Sequence, residues 1–133
     1  MIKAQDLRIG NWYTSIKWQK AVKCQLSDIA EIHHRLEGAE EQYANVDEIF
    51  QPIPLTEEWL LSFGFCGEIN PRGRCGNFYL NYNAESGCHG MVIWYQQGSW
   101  CFSYHNRMMN VKYVHQLQSL YFLLNNKELT IID

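Results

Sequence analysis

The chain contains no C-x-x-C pair, no phosphate loop with its lysine and Ser/Thr, no nucleophile elbow and no apolar run long enough to cross a bilayer. Each absence excludes something. Without C-x-x-C, and with an odd count of five cysteines (Cys24, Cys66, Cys75, Cys88, Cys101), a disulfide framework is not expected. Met1-Ile2-Lys3-Ala4-Gln5-Asp6 does not start like a signal peptide, so the expected location is cytoplasmic, without a membrane partner. No acidic residue occurs between Ser86 and Lys127, which leaves Cys101/His105 and Cys88/His89 without a nearby orienting carboxylate for nucleophilic catalysis. Internal repeats and low-complexity tracts are also missing. The net charge of −3 disfavours bulk nucleic acid, which calls for a basic face.

What is present is aromatic. Five Trp, eight Tyr and six Phe among 133 residues exceed the needs of a core this small, so some are expected on the surface. Nearly half the residues are apolar, enough for a genuine core in one domain or two small halves.

The middle of the chain marks the division. Pro52 and Pro54 keep the backbone extended. Thr56 then offers a helix cap, Glu57 and Glu58 place negative charge at the helix start, and Leu55 with Leu60 occupies the hydrophobic-staple positions. Gly64 follows the last turn, where a left-handed residue is wanted.

Before this joint, residues 1–53 read as short strands. Ile9-Gly10-Asn11-Trp12-Tyr13 is a turn feeding a β-prone run, and Val22, Cys24 and Leu26 alternate with Lys23 and Gln25. Ser27-Asp28 is read as a turn. Ile29 and Ile32 mark a third segment, and Tyr43 and Val46 a fourth strand after a polar loop over 37–42. The expectation is an SH3-like small β-barrel. A rival reading makes Asp28 to Leu36 a helix capped by Asp28.

Residues 54–133 predict a helix–antiparallel three-strand sheet–helix unit, giving an α+β protein. Phe78 to Tyr82, Met91 to Tyr95 and Trp100 to Tyr104 are its strands, the last two joined by a Gln96-Gln97-Gly98-Ser99 hairpin turn. Gly67 to Asn77 is read as a loop. Tyr113, Val114, Leu117, Leu120, Tyr121 and Leu124 form an amphipathic helix, stopped by Asn125-Asn126, with Leu129 to Ile132 as a terminal strand.

Three blocks taken together carry a resemblance: Asp6-Leu7-Arg8-Ile9-Gly10-Asn11-Trp12, the Pro52 to Phe65 joint, and Lys112 to Phe122 closing on Lys127-Glu128-Leu129-Thr130-Ile131. They cover about a third of the chain. The chain resembles a family of short proteins encoded by gut-bacterial phages and integrated mobile elements. The resemblance implies a phage-like setting in a bacterial host and a shared fold, and brings no catalytic residues. Asn125-Asn126-Lys127 stands where that family tends to have a Thr-Gly turn.

For metal, Cys66, Cys75, Cys88 and His89 are spaced too widely for a zinc knuckle, whose ligands come in close pairs, so no metal and no cofactor is expected. The loop Asn70 to Asn77 is the best anion candidate, since Arg72 and Arg74 can fork towards phosphate while glycine lets N–H groups approach. A flexible, solvated hairpin loop is the simpler reading of the same residues. Arg107 could join it on the same side. Trp94, Trp100 and Tyr104 on the hairpin, with Trp12 and Trp18 in the first half, are candidate stacking surfaces for a base. The reading that follows is a non-enzymatic protein capturing a small nucleotide-type ligand, such as a nucleotide-derived immune signal of the host. The alternatives are a module that binds and inhibits a host protein, or a single-stranded nucleic-acid binder. A homodimer through the hairpin or last helix would fit each.

Overall fold

The computed structural model describes residues 8–15, 19–25, 27–28, 50–80, 90–104 and 107–132, with Phe50 and Tyr104 described by their backbone. In chain order the elements are β1 (Trp12–Ser15), β2 (Lys20–Lys23), β3 (Phe50–Gln51), α1 (Glu57–Ser62), β4 (Cys66–Ile69), β5 (Cys75–Leu80), β6 (Met91–Gln96), β7 (Ser99–Tyr104), β8 (Arg107–Asn110) and α2 (Val114–Asn125). Two compact units result: Met1–Ile53 with Tyr113–Ser119, and Pro54–Lys112 with Leu120–Asp133.

The first unit starts from a turn. The Asn11 N–H donates to the Arg8 carbonyl (3.0 Å), and Gly10, third in the turn, has φ of 93°. Type II turns require positive φ there, which explains the glycine. Gly10 N–H then donates to the Cys24 carbonyl and Cys24 N–H to the Asn11 carbonyl (2.9 and 2.7 Å). Two residues therefore oppose one, a β-bulge that directs the chain into β1. β1 pairs antiparallel with β2 along its length and with β3 only at Thr14 and Ser15, giving the order β2-β1-β3. Tyr13 and Ser15 are buried, while Lys23 and Gln25 are exposed beside half-buried Val22 and buried Cys24, as the alternation predicts.

The expected SH3-like barrel is not formed. Among the described residues the sheet is open, with β2 and β3 as its edges. The physical substitute for closure comes from far along the chain. Val114 N–H donates to the Ile53 carbonyl (2.9 Å), and the Gln118 amide bonds to the open side of β1, accepting from Trp12 N–H (2.8 Å) and donating to the Gly10 carbonyl (3.2 Å). Ser27 and Asp28 have helical backbone, and the Asp28 carboxylate accepts from Gln25 N–H (2.7 Å), the return bond of a capping box. Asp28 is thus inside a helical turn and not its cap. The segment around Ile29 and Ile32, the 37–42 loop, the Tyr43/Val46 strand and the remainder of the rival helix lie outside the described residues.

In the second unit the joint behaves as local chemistry dictates. Thr56 accepts from Trp59 N–H, and Leu55 and Leu60 are both buried. At the other end of α1, Gly64 (φ 90°) donates to the Leu61 carbonyl and Phe65 N–H to the Leu60 carbonyl, both at 3.0 Å. That double closure is a Schellman motif, completed by buried Leu60 and Phe65. Each such apolar side chain contributes about 1.5–3 kcal/mol by leaving water.

The sheet has five antiparallel strands, ordered β4-β5-β6-β7-β8, where three were expected. β4 and β5 form a hairpin within what the sequence suggested was a loop from Gly67 to Asn77. Asn70-Pro71-Arg72-Gly73 is its turn, with Gly73 N–H bonded to the Asn70 carbonyl. β8 adds the far edge. The β6–β7 connection is the two-residue turn anticipated, with Gln97 and Gly98 both at positive φ (49° and 85°), the type I′ pattern that matches strand twist. α2 buries Val114, Leu117 and Tyr121 on its apolar stripe and stops where Asn126 takes φ of 54°. Asparagine tolerates this conformation, so it can end the helix without a glycine. Leu129 to Ile132 is not a strand; buried Leu129 and one bond from Ile132 N–H to the Ser62 carbonyl hold it. No helix among the described residues is long and apolar enough to cross a membrane.

Two substitutions test this account by urea unfolding. Gln118→Leu removes a partner from the part-buried Trp12 N–H and Gly10 carbonyl and one of two acceptors from the buried Asn11 amide, and is expected to cost about 3 kcal/mol, since each orphaned polar group costs roughly 1–3. Gly64→Ala forces a side chain into positive φ and towards Ile132 Cδ1 at 3.3 Å, for an expected loss of about 1–2 kcal/mol.

Candidate functional site

Strand register decides which aromatics face solvent. Phe78, Met91, Ile93, Trp100 and Phe102 point to the buried face of the five-stranded sheet. Tyr79, Val92, Trp94 and Met108 lie on the outer face and are exposed. Trp94 and Tyr95 do point to opposite faces: Trp94 is 44% exposed, while Tyr95 packs on Trp100 at 4.8 Å. Trp100 is 8% exposed and also meets Phe78 edge-on at 5.5 Å. With neighbours against its ring it has no free face for a base and is a core residue.

A cleft of about 600 Å³ opens beside Trp94. Its origin is in the ladder. Pairing between β6 and β7 runs from Gln96↔Ser99 to Ile93↔Phe102 and no further. Met91 and Val92 on one strand, and Phe102 and Ser103 on the other, line the opening beyond that point, together with Gly90. Leu124 and Asn125 from the end of α2 complete it. This volume lies in the range of small-molecule sites, and the lining is apolar with a few polar groups. None of the lining residues is charged. Arg107 is close in sequence to this end of the sheet, yet by register it falls on the face opposite Trp94, since Ser103 pairs with Met108 and Tyr104 with Arg107. The turn Gln97-Gly98 sets the parity that exposes Trp94, a signal readable in sequence. Leu124 and Asn125 carry no such signal, because their place depends on where the helix ends.

The arginine turn is elsewhere. Cys75, directly after it, pairs with Gln96, which pairs with Ser99, whereas Arg107 pairs with Tyr104 at the other end of β7. Five strand residues at about 3.3 Å each separate these ends by roughly 17 Å. Arg72, Arg74 and Arg107 therefore do not form one cluster. Three of the turn's N–H groups are also in use. Gly73 N–H donates to the Asn70 carbonyl, and Arg74 N–H to Asn70 Oδ1 (2.8 and 2.9 Å), with Cys75 N–H reaching the same oxygen at 3.5 Å. What remains for an anion is two exposed guanidinium groups. A smaller cleft of about 280 Å³, lined by Ser99, Trp100, Asn110 and Lys112 with Pro54, Leu55 and Gly98, opens near this end. Gln97 N–H donates to the Arg74 carbonyl, tying the two turns together.

No protein-family model, curated protein or solved structure matches this chain.

Trp12 belongs to the first unit. It is half-buried, its N–H is held by Gln118, and Lys23 Nζ stands 5.5 Å from its ring centroid. Trp18 and the side chain of Tyr104 lie outside the described residues, as do Cys88, His89, His105 and the His33-His34 pair. Cys66 and Cys75 are exposed on separate strands, opposite Tyr79 and Gln96 respectively. Among the described residues no three His, Cys, Asp or Glu side chains gather as metal ligands.

Cys24 differs from the exposed thiols. Burial, with a smaller contribution from the Asp28 carboxylate, pushes its pKa up to about 11 from 9.0. It is therefore expected to resist a thiol reagent until the protein unfolds, while Cys66 and Cys75 react promptly. The unfolded chain ionises this thiol near pH 9 and the folded protein only near 11. Its contribution to stability is thus complete below pH 9 and is lost as pH rises to 11. Comparing wild type with Cys24→Val by urea unfolding across this window isolates the effect; parallel pH curves would refute it.

Proposed function

We propose that this chain is a non-enzymatic binding protein that captures a small nucleotide-type ligand in the Trp94 cleft. The base stacks on the exposed indole, and the rest of the ligand fills the uncharged cleft beside it. The observation that carries this reading is the solvent-exposed Trp94 in the wall of a roughly 600 Å³ cleft with an uncharged lining. Bases stack on any aromatic face, and exposed Ser103 offers a hydroxyl for a hydrogen bond to a base edge. The resemblance to phage-encoded proteins supplies the setting. In a bacterial cytoplasm, sequestering a nucleotide-derived immune signal needs tight binding and no turnover.

A second reading, docking onto a host protein and inhibiting it, is favoured by the exposed Tyr79, Val92, Trp94 and Met108 on one sheet face. Binding of single-stranded nucleic acid would use the same aromatics. Against it, the only charged residue at an outward register position of that face is Glu68.

Calorimetry against cyclic oligonucleotides and ADP-ribose-type molecules tests the first reading. Trp94→Ala is expected to weaken binding by about 10- to 100-fold, as loss of one stacked base costs roughly 1–3 kcal/mol. Arg107→Ala, like Arg72→Ala with Arg74→Ala, is expected to leave it unchanged. An absence of heat with every such compound sinks the idea, and a host protein retained from bacterial lysate would then favour the second reading.

A further inference from the structure

The geometry points to β8 as an edge through which two copies of this chain pair, joining their five-stranded sheets into one. β8 ends the sheet, and all four of its residues are exposed, Met108 by 59% and Met109 by 42%. Its hydrogen-bonding pattern follows from the bond of Val111 N–H to the Trp100 carbonyl (2.9 Å). Antiparallel ladders alternate, so Met109 and Arg107 exchange bonds with β7, while Met108 and Asn110 turn their N–H and C=O groups outward. Among the described residues nothing bonds to those outward groups. Natural edges are usually blunted by charge, proline or a bulge, and within β8 only Arg107, at its first position, offers such protection.

The occupant is argued from self-complementarity. A two-fold axis at Met109 sets Met108 opposite the partner copy's Asn110, and Asn110 opposite the partner copy's Met108. Both outward pairs then bond reciprocally, and Met109 faces its own counterpart at the close, non-hydrogen-bonded spacing of about 4.5 Å. Arg107 falls opposite the partner copy's Val111. The two arginines are then four residues apart, about 13 Å, beyond the roughly 8 Å screening length of physiological salt. No like charges meet. The other edge, β4, cannot do this as well, because exposed Glu68 sits within it and self-pairing there brings two carboxylates together. Methionine is suited to such a seam, since its flexible thioether fills irregular contacts.

Sedimentation velocity across a wide concentration range tests the pairing. Wild type is expected to be a dimer at the upper end. Met108→Pro removes an outward donor without touching the β7 ladder, and is expected to give a folded monomer by circular dichroism. Met109→Glu and Met109→Lys place like charges on the axis, so each alone is expected to be monomeric and the two mixed to form a heterodimer. That mixture decides the matter even where the proline variant does not fold. A wild type that stays monomeric at every concentration overturns the proposal. So does a dimer that survives all three substitutions, which would place the interface on another surface such as the one around Trp94. Amide exchange at Met108 and Asn110 that slows only when a foreign protein is added also overturns it, in favour of an exogenous strand.

Discussion

A single side-chain amide, that of Gln118, completes the described part of the first sheet. Among the described residues β3 covers only Thr14 and Ser15 of β1, and on that side the backbone at Gly10 and Trp12 meets Gln118 instead. Gln118 donates to the first and accepts from the second, the two flanking groups that a residue in a neighbouring parallel strand would bond. Asn11, between them, turns its own amide to the His115 carbonyl and to Gln118 Oε1. Both side chains are 1% exposed, so every one of these groups would be costly if left unmet. Glutamine suits the position because its amide is donor and acceptor at once; glutamate would present only acceptors to the Gly10 carbonyl. The partners are more than a hundred residues apart in sequence. The first sheet is therefore incomplete until the last helix arrives, and such long-range closure is entropically expensive and slow to form.

That dependence explains which parts of the fold were legible from the residues. Features decided within a few positions were readable: the Thr56 cap, the Leu55/Leu60 staple, the Gly64 stop, the Gln97-Gly98 turn and the stripe of α2. Each needs only neighbours. The barrel failed for the opposite reason. Short alternating strands state that a sheet exists, not what completes it, and here the completion is a glutamine on a distant helix. β4 and β8 were missed because an edge strand has one partner and little burial, so Cys66-Gly67-Glu68-Ile69 and Arg107-Met108-Met109-Asn110 show no clear apolar alternation.

The candidate site was half legible, and parity is the reason. A shift of one residue exchanges the faces of a strand. The hairpin turn places Trp94 outward, and by the same register it sends Trp100 into the core between Phe78 and Tyr95. Aromatic residues of like appearance therefore have opposite roles. The arginine turn misled in another way. Asn70-Pro71-Arg72-Gly73 looks like a flexible phosphate cradle, yet Asn70 takes up the N–H groups of Gly73 and Arg74 and the loop is a closed hairpin turn.

Separation of cations from the open aromatic surface constrains what kind of affinity the Trp94 cleft can supply. Its lining holds no charge, and exposed Arg107 acts through solvent, where an ion pair contributes about 0–1 kcal/mol. Stacking on one indole contributes more, and it does not distinguish one base from another. Discrimination in such a cleft must then come chiefly from shape. Ser103 is exposed, so a hydrogen bond missed there is made up by water and discriminates little. The shape is set in part by the end of α2: the Asn125 amide is tied back to the Tyr121 carbonyl (3.2 Å), and Asn126, bent into positive φ, stops the helix where Leu124 and Asn125 stand in the cleft wall.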